Sequence, residues 1–149
     1  MAEPRYWIGV VSREHVLYGV AQGIAQLNHG KREPLLRMHA GDWLVYYSPR
    51  SSYPDGEPLQ AFTAIGRVTS SAPYQAEMSP DFHPFRLDVA YLDCRETPIK
   101  DLLGRLSFIT DPKHWGAAFR FGQVSVNRAD FATIAAAMGV SLPDGWDVR

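Results

Sequence analysis

The chain has one cysteine, Cys94, so no disulfide can form within it and packing alone has to hold the core. That usage fits a reducing compartment. No stretch approaches the roughly 20 apolar residues that span a bilayer, so no membrane contact is expected. Residues 1–12 lack the apolar run of a secretory signal, and Glu3 is wrong for its basic start, so a cytoplasmic address is expected. An excess of positive charge is also missing. The net charge is -1, without the bulk basic footprint of a general nucleic-acid binder.

The motifs of common chemistries are absent too. Gly30-Lys31 resembles part of a phosphate loop, but that motif needs Gly at position 25 and Ser or Thr at position 32. Ala25 and Arg32 stand there instead. No glycine triplet has dinucleotide-binding spacing. The histidines, His15, His29, His39, His83 and His114, show no ligand-pair spacing, so no metal and no cofactor is expected. There is no Gly-x-Ser-x-Gly elbow. Cys94 reads as a partly buried thiol rather than a nucleophile. No catalytic residue is assigned, and the chain is expected not to be an enzyme.

What is present is a set of aromatic-rich blocks spread along 149 residues, a length that suits one domain. Tyr6-Trp7-Ile8-Gly9-Val10, Trp43-Leu44-Val45-Tyr46-Tyr47 and Phe62-Thr63-Ala64-Ile65 read as β-strands, the last within a run from Leu59 to Thr69. Trp115-Gly116 with Phe119-Arg120 reads as a turn leading into a strand. Ser12 is placed to cap a helix from about Arg13 to Leu27, with Val16, Val20, Ile24 and Leu27 along one stripe. Gly66 suggests a bulge or tight bend. Phe85 to Tyr91 alternates as a half-buried strand. Thr97 to Leu103 suggests a short helix with Pro98 at its first position, and Gln123 to Val126 a last short strand. Asn127 caps a helix to about Met138, terminated by Gly139, and residues 140–149 read as a weakly held tail. The loop from Pro73 to Pro84 carries Tyr74, Met78 and Phe82, and loops of this length in a compact domain are often functional.

Together these blocks resemble the EVE-domain family of the PUA-like superfamily, which also holds the YTH domains. The matching residues are Tyr6-Trp7-Ile8-Gly9-Val10, Ser12-Arg13-Glu14-His15-Val16, Gly23 to Lys31, Gly41-Asp42, Tyr46-Tyr47-Ser48-Pro49 and Phe62 to Gly66. Tyr74 to Met78, Phe85-Arg86, Trp115-Gly116 and Phe119-Arg120 complete the match, over roughly residues 5–139. The resemblance implies an α+β fold, a PUA-like pseudobarrel of five or six strands with flanking helices. It also implies a pocket for a modified nucleobase, a methylated cytosine or adenine in DNA or RNA. In YTH domains an aromatic cage holds the base and polar groups at the start of the first helix read it. The YTH cage residue near the end of that helix has no aromatic counterpart in Ile24-Ala25-Gln26.

Each candidate site residue has a structural alternative. Ser12 and His15 either read a base or only cap the helix. Gln26 and His29 meet either a base edge or solvent. Of Tyr46 and Tyr47, one reads as core and the other as pocket lining, beside Ser48 and Pro49 at the strand exit. Met78 and Phe82 are better cage candidates than Trp7 or Trp43, which read as core. Trp115 either closes the pocket or pins its turn. Arg120 meets a phosphate or pairs with a carboxylate such as Asp88. The expected partner is a nucleic acid carrying a modified base; the alternative is a free nucleotide-like or other small ligand.

Overall fold

The computed structural model describes residues 3–148. Eight strands are present: β1 (Tyr6–Val10), β2 (Ile24–Ala25), β3 (Trp43–Arg50), β4 (Pro58–Val68), β5 (Tyr74–Gln75), β6 (Phe85–Leu92), β7 (Thr97–Pro98) and β8 (Gln123–Val126). The helices are α1 (Arg13–Gln22), α2 (Glu33–Leu36) and α3 (Arg128–Ala137), joined by short 3-10 turns. The strands form one mixed sheet in the order β2-β6-β4-β3-β1-β8, with β5 on β6 and β7 on β4. The sheet curls into a half-barrel flanked by the helices, the α+β architecture that the resemblance implies.

β1 lies between β3, to which it is parallel, and β8, to which it is antiparallel. β3 and β4 pair antiparallel, as the two β-rich runs separated by a Pro-Asp-Gly loop predict. The sheet separates two cores. Tyr6, Ile8, Trp43, Val45, Tyr47, Phe62 and Ile65 face the first, which α3 and the 3-10 turns cover. Trp7, Leu44, Tyr46 and Ala64 face the second, together with Val16 of α1, Leu27 and Leu35. This is the period-two alternation of a strand buried on both faces.

Some local expectations change. Helix α1 ends at Gln22 instead of Leu27, because Gly23 takes a left-handed φ of 69° and its N–H turns back to Gly19 O and Val20 O. Ile24-Ala25 can then pair with β6 as a strand. Val20 is consequently exposed rather than part of a buried stripe. Gly66 pairs in register with both Leu44 and Tyr91, so the bulge is not there. The register shifts between Tyr46 and Tyr47 instead, leaving Thr63 as the extra residue, its hydroxyl 2.8 Å from that of Ser48. Thr97-Pro98 is a strand paired to β4, followed by a 3-10 turn over Ile99–Asp101. The segment around Trp115 is a 3-10 turn over Pro112–Phe119. Asn127 does cap α3, accepting from Asp130 N.

The segment 140–148 is packed through Trp146 and Val148, not loose. Trp146 stacks on Phe131 at 6.1 Å between ring centroids and meets Tyr6 and Trp43 edge-on. The Trp43 indole donates to Trp146 O at 2.7 Å, and Arg67 donates to Val148 O at 2.6 Å. The aromatic ring at position 146 completes the first core, which hydropathy along an irregular segment does not reveal. Trp146→Ala is expected to lose about 2 kcal/mol in urea denaturation, roughly half the cost of a fully buried aromatic. An unchanged midpoint would make the tail dispensable.

Burial pushes Tyr46 and Tyr47 up to about 12, from an ordinary value of 10.0. Between these values the unfolded chain has lost protons that the folded chain keeps. Stability is therefore full below about pH 10 and falls as pH rises toward about 12. Cys94, also raised by burial from 9.0, starts a smaller loss somewhat earlier, from about pH 9. Urea midpoints should hold steady up to about pH 9 and drop above about pH 10, and Tyr47→Phe should shallow the drop.

Candidate functional site

A cavity of about 320 Å³ opens on the second-core side, between the start of α1, the β2 region and the exit of β3. Val10 and Val11 lead into it from β1, and Ser12, His15, Tyr18 and Gly19 present one face of α1. Ile24, Gln26, Asn28 and His29 line it from β2 and the turn that follows. Tyr46 lies beneath, Pro49, Arg50, Ser52 and Tyr53 border the β3 exit, and Phe82 reaches in from the long loop.

The walls are held by bonds the sequence does not advertise. The Gln26 backbone N–H bonds to the Tyr46 hydroxyl, which bonds in turn to that of Tyr91. Tyr91 donates to Ile24 O at 2.7 Å, closing a chain that fixes the backbone on either side of Ala25. Burial raises both phenols above their ordinary value, so the hydroxyls keep their protons well into alkaline pH. Beyond this chain the backbone turns sharply: Asn28 and His29 take φ of 47° and 60°. Two consecutive non-glycine residues in the left-handed region cost on the order of 1–3 kcal/mol each, and such strain clusters at ligand sites. The turn aims the His29 ring edge-on at Tyr53, with centroids 5.0 Å apart.

Ser12 occupies the N-cap position of α1, but its hydroxyl makes no capping hydrogen bond. The Glu14 N–H, one of the donors such a cap would serve, goes to Ser51 O at 2.9 Å. Ser12 Oγ is left buried with no hydrogen-bond partner among the described residues. Gln26 is in the same condition at one end: Nε2 reaches the Met78 sulfur at 3.5 Å, a weak acceptor, and Oε1 is buried without a partner. Two orphaned oxygens thus belong to side chains that line one cavity. Buried polar atoms are nearly always satisfied; each of these two can accept a hydrogen bond, and the Ser12 hydroxyl can also donate one.

Six of the residues singled out in the sequence meet at this cavity: Ser12, His15, Gln26, His29, Pro49 and Phe82. Met78 stands behind Gln26 without lining the space. The others lie elsewhere. Tyr47 is on the first-core face, stacked on Phe119 at 4.3 Å, and Trp115 packs edge-on against both, pinning its turn. Ser48 is buried against Thr63. Arg120 is exposed after the 3-10 turn, and Asp88 accepts instead from Tyr74 and from no arginine. Of the tyrosine pair, Tyr46 is the one at the cavity. Sequence reading missed Tyr18, Asn28 and Tyr53. Tyr18 had a signal: Ser12, His15, Tyr18 and Gly19 recur at helical spacing on one face. Tyr53 had none, because its loop has no periodicity.

The sequence model of the EVE domain matches residues 5–137. The chain belongs to the EVE domain family. Among its relatives, the UPF0310 protein YdcG of Bacillus subtilis is 52% identical over 137 residues, covering 92% of this chain and 94% of that one. A UPF0310 protein of Mycolicibacterium vanbaalenii is 54% identical over 132 residues, covering 89% and 91%. Similar solved structures include Atu2648 from Agrobacterium tumefaciens, with a TM-score of 0.57 at 13% identity, covering 93% of this chain and 96% of that one. Rpa0253 from Rhodopseudomonas palustris gives 0.54 at 15% identity, covering 91% and 93%. At these identities the two structures speak to the fold alone. Family membership points to a binding module. Among the described residues no helix is long and apolar enough to cross a membrane.

An N-cap serine normally contributes about 1 kcal/mol through its side chain. Here that bond is not made and the oxygen is buried unpaired, so Ser12→Ala should leave the melting temperature unchanged or slightly raise it. A loss of a full kcal/mol would mean that the hydroxyl caps α1 after all.

Proposed function

We propose that this chain is a non-enzymatic, cytoplasmic binding module whose cavity takes a single modified nucleobase from DNA or RNA. The observation that carries the reading is the pair of buried, unpartnered oxygens, Ser12 Oγ and Gln26 Oε1, on a cavity walled by Tyr18, Tyr46, Tyr53, His29 and Phe82. Aromatic rings suit a flat ring, and the oxygens suit N–H donors on its edge. Cytosine and adenine both carry an exocyclic amine there. At about 320 Å³ the cavity is at the small end of ligand pockets, which run from roughly 300 to 1,000 Å³, and that favours one base over a larger cofactor.

The chemistry is recognition. Stacking on an aromatic face supplies about 1–3 kcal/mol per base, independent of which base it is. A methyl group fitted into the cavity adds up to about 0.8 kcal/mol. The orphaned oxygens sort bases by edge, since a base that offers no donor leaves them unpaired. In a duplex the base must first leave the stack, at a cost of a few kcal/mol. One observation favours a free nucleotide-like ligand instead: Arg50 is the one Lys or Arg among the lining residues, and it already donates to Gly56 O.

Calorimetric titration with 5-methyldeoxycytidine, N6-methyldeoxyadenosine and their unmethylated parents tests the reading, each as a nucleoside and within a short single strand. One modified base should bind several-fold more tightly than its parent. Phe82→Ala should weaken it by about 1–3 kcal/mol with the fold intact. Ser12→Ala should weaken it by a similar amount through loss of one hydrogen bond. Equal affinity for every modified base and its parent would end the modified-base reading. Equal affinity for nucleoside and strand would favour the free ligand.

A further inference from the structure

Phe121 is 79% exposed, more than any other large apolar side chain among the described residues. It is not on a loose loop. Gly122 beside it takes a φ of 79°, where an added Cβ would run into the Asn28 side chain, and its carbonyl accepts the Val10 N–H at 2.9 Å. Gln123 is tied on both sides: Nε2 donates to Pro34 O at 2.8 Å and Oε1 accepts from Arg37 at 3.2 Å. The turn therefore holds an aromatic ring out into solvent.

The ring borders a groove of about 590 Å³ lined also by Asn28, Lys31, Glu33, Arg37 and Gln123. Asn28 lines this groove and the cavity alike, so the two adjoin across one side chain. Lys31 and Arg37 outnumber the one carboxylate, and neither forms an ion pair among the described residues. Arg32 and Arg120, both exposed, are next in sequence to Lys31 and Phe121. An exposed rigid aromatic beside unpaired cations is what a single strand needs, with a face for a base and charges for its phosphates.

We propose that Phe121 is a stacking platform for a nucleotide flanking the base held in the cavity, with Lys31 and Arg37 holding its phosphates. The occupant is single-stranded nucleic acid, and the placement of this flanking site rests on the cavity reading above. The platform acts on any base, so its contribution is to affinity for a strand and not to selection of the modification.

Fluorescence anisotropy with a labelled, unmodified oligothymidylate of about eight nucleotides reads the platform without needing the modified base. The wild type should bind weakly, and Phe121→Ala should weaken it about ten-fold while Phe121→Trp retains it. Replacing Lys31 and Arg37 together by Ala should reduce the slope of log affinity against log salt by about 1.4, two single-strand phosphates' worth. Melting curves of Phe121→Ala should match the wild type, since an exposed ring carries little stability. Nucleoside titrations into Phe121→Ala keep the two claims apart. If no modified base is preferred over its parent, as nucleoside or in a strand, but the oligothymidylate still depends on Phe121, the cavity reading fails and the platform stands. If the oligothymidylate does not bind, or binds Phe121→Ala as well as wild type, the platform is wrong whatever the nucleosides do.

Discussion

The cavity side of this fold depends on the buried carboxylate of Asp42. It accepts the Arg5 N–H at 2.9 Å, the Trp7 indole N–H at 3.2 Å and the His39 N–H at 2.9 Å. These bonds join the start of β1 to the start of β3. The two strands are parallel, and no hairpin sets their register. A slip of one residue would exchange every side chain between the faces of the sheet. Either Trp7 would leave the second core or Tyr46 would leave the cavity, depending on which strand moved. Hydrogen bonds to a charged acceptor contribute about 1.5–3 kcal/mol each, and losing the carboxylate would also strand buried donors. The polar knot thus fixes Trp43 opposite Tyr6, and the remaining partners follow.

With the register fixed, β3 acts as a wall between two environments. Tyr46 goes to the cavity side, where its hydroxyl joins the Tyr91 chain; Tyr47 goes to the other side and stacks on Phe119. β4 has to serve both faces opposite this wall. Phe62 and Ile65 share a face only because the bulge at Thr63 shifts the alternation by one. On the cavity side α1 and β2 stand close, since a Cβ at Gly19 would lie 2.8 Å from Ile24 O. The strained turn at Asn28 and His29 follows β2 directly.

The scaffold was largely readable in the sequence because period and turn chemistry are local. The β-rich runs at 6–10, 43–47 and 59–69 and the Asn127 cap are all carried by neighbouring residues. What escaped was set by distant contacts. Trp146 sits in an irregular segment, and only its packing on Phe131 makes it core. Gly23 ended α1 early because β6 offered Ile24 and Ala25 an alternative to the helix. The start of α1 and the Phe82 loop were identifiable as cavity candidates from capping and loop length. Tyr47 and Trp115 were not separable from Tyr46 by sequence, since which aromatic faces which side depends on parity along β3. Tyr53, in a loop without period, enters through its contact with His29.

On the proposed reading, the energetics of the cavity make the edge of a bound base matter more than its modification. A methyl group adds at most about 0.8 kcal/mol, a factor of a few in affinity. Stacking on Phe82 or Tyr53 is larger but indifferent to the base. The orphaned oxygens of Ser12 and Gln26 are where steep discrimination can arise, because their penalty is removed only by donors at the right positions. Sites built to bond a polar group reject an analogue lacking it by factors of about 10⁴–10⁵. If the proposed reading holds, such a module would select the amine-bearing edge first. It distinguishes a modified from an unmodified base steeply only where the modification alters that edge, or where the added group displaces water that the unmodified base would leave behind.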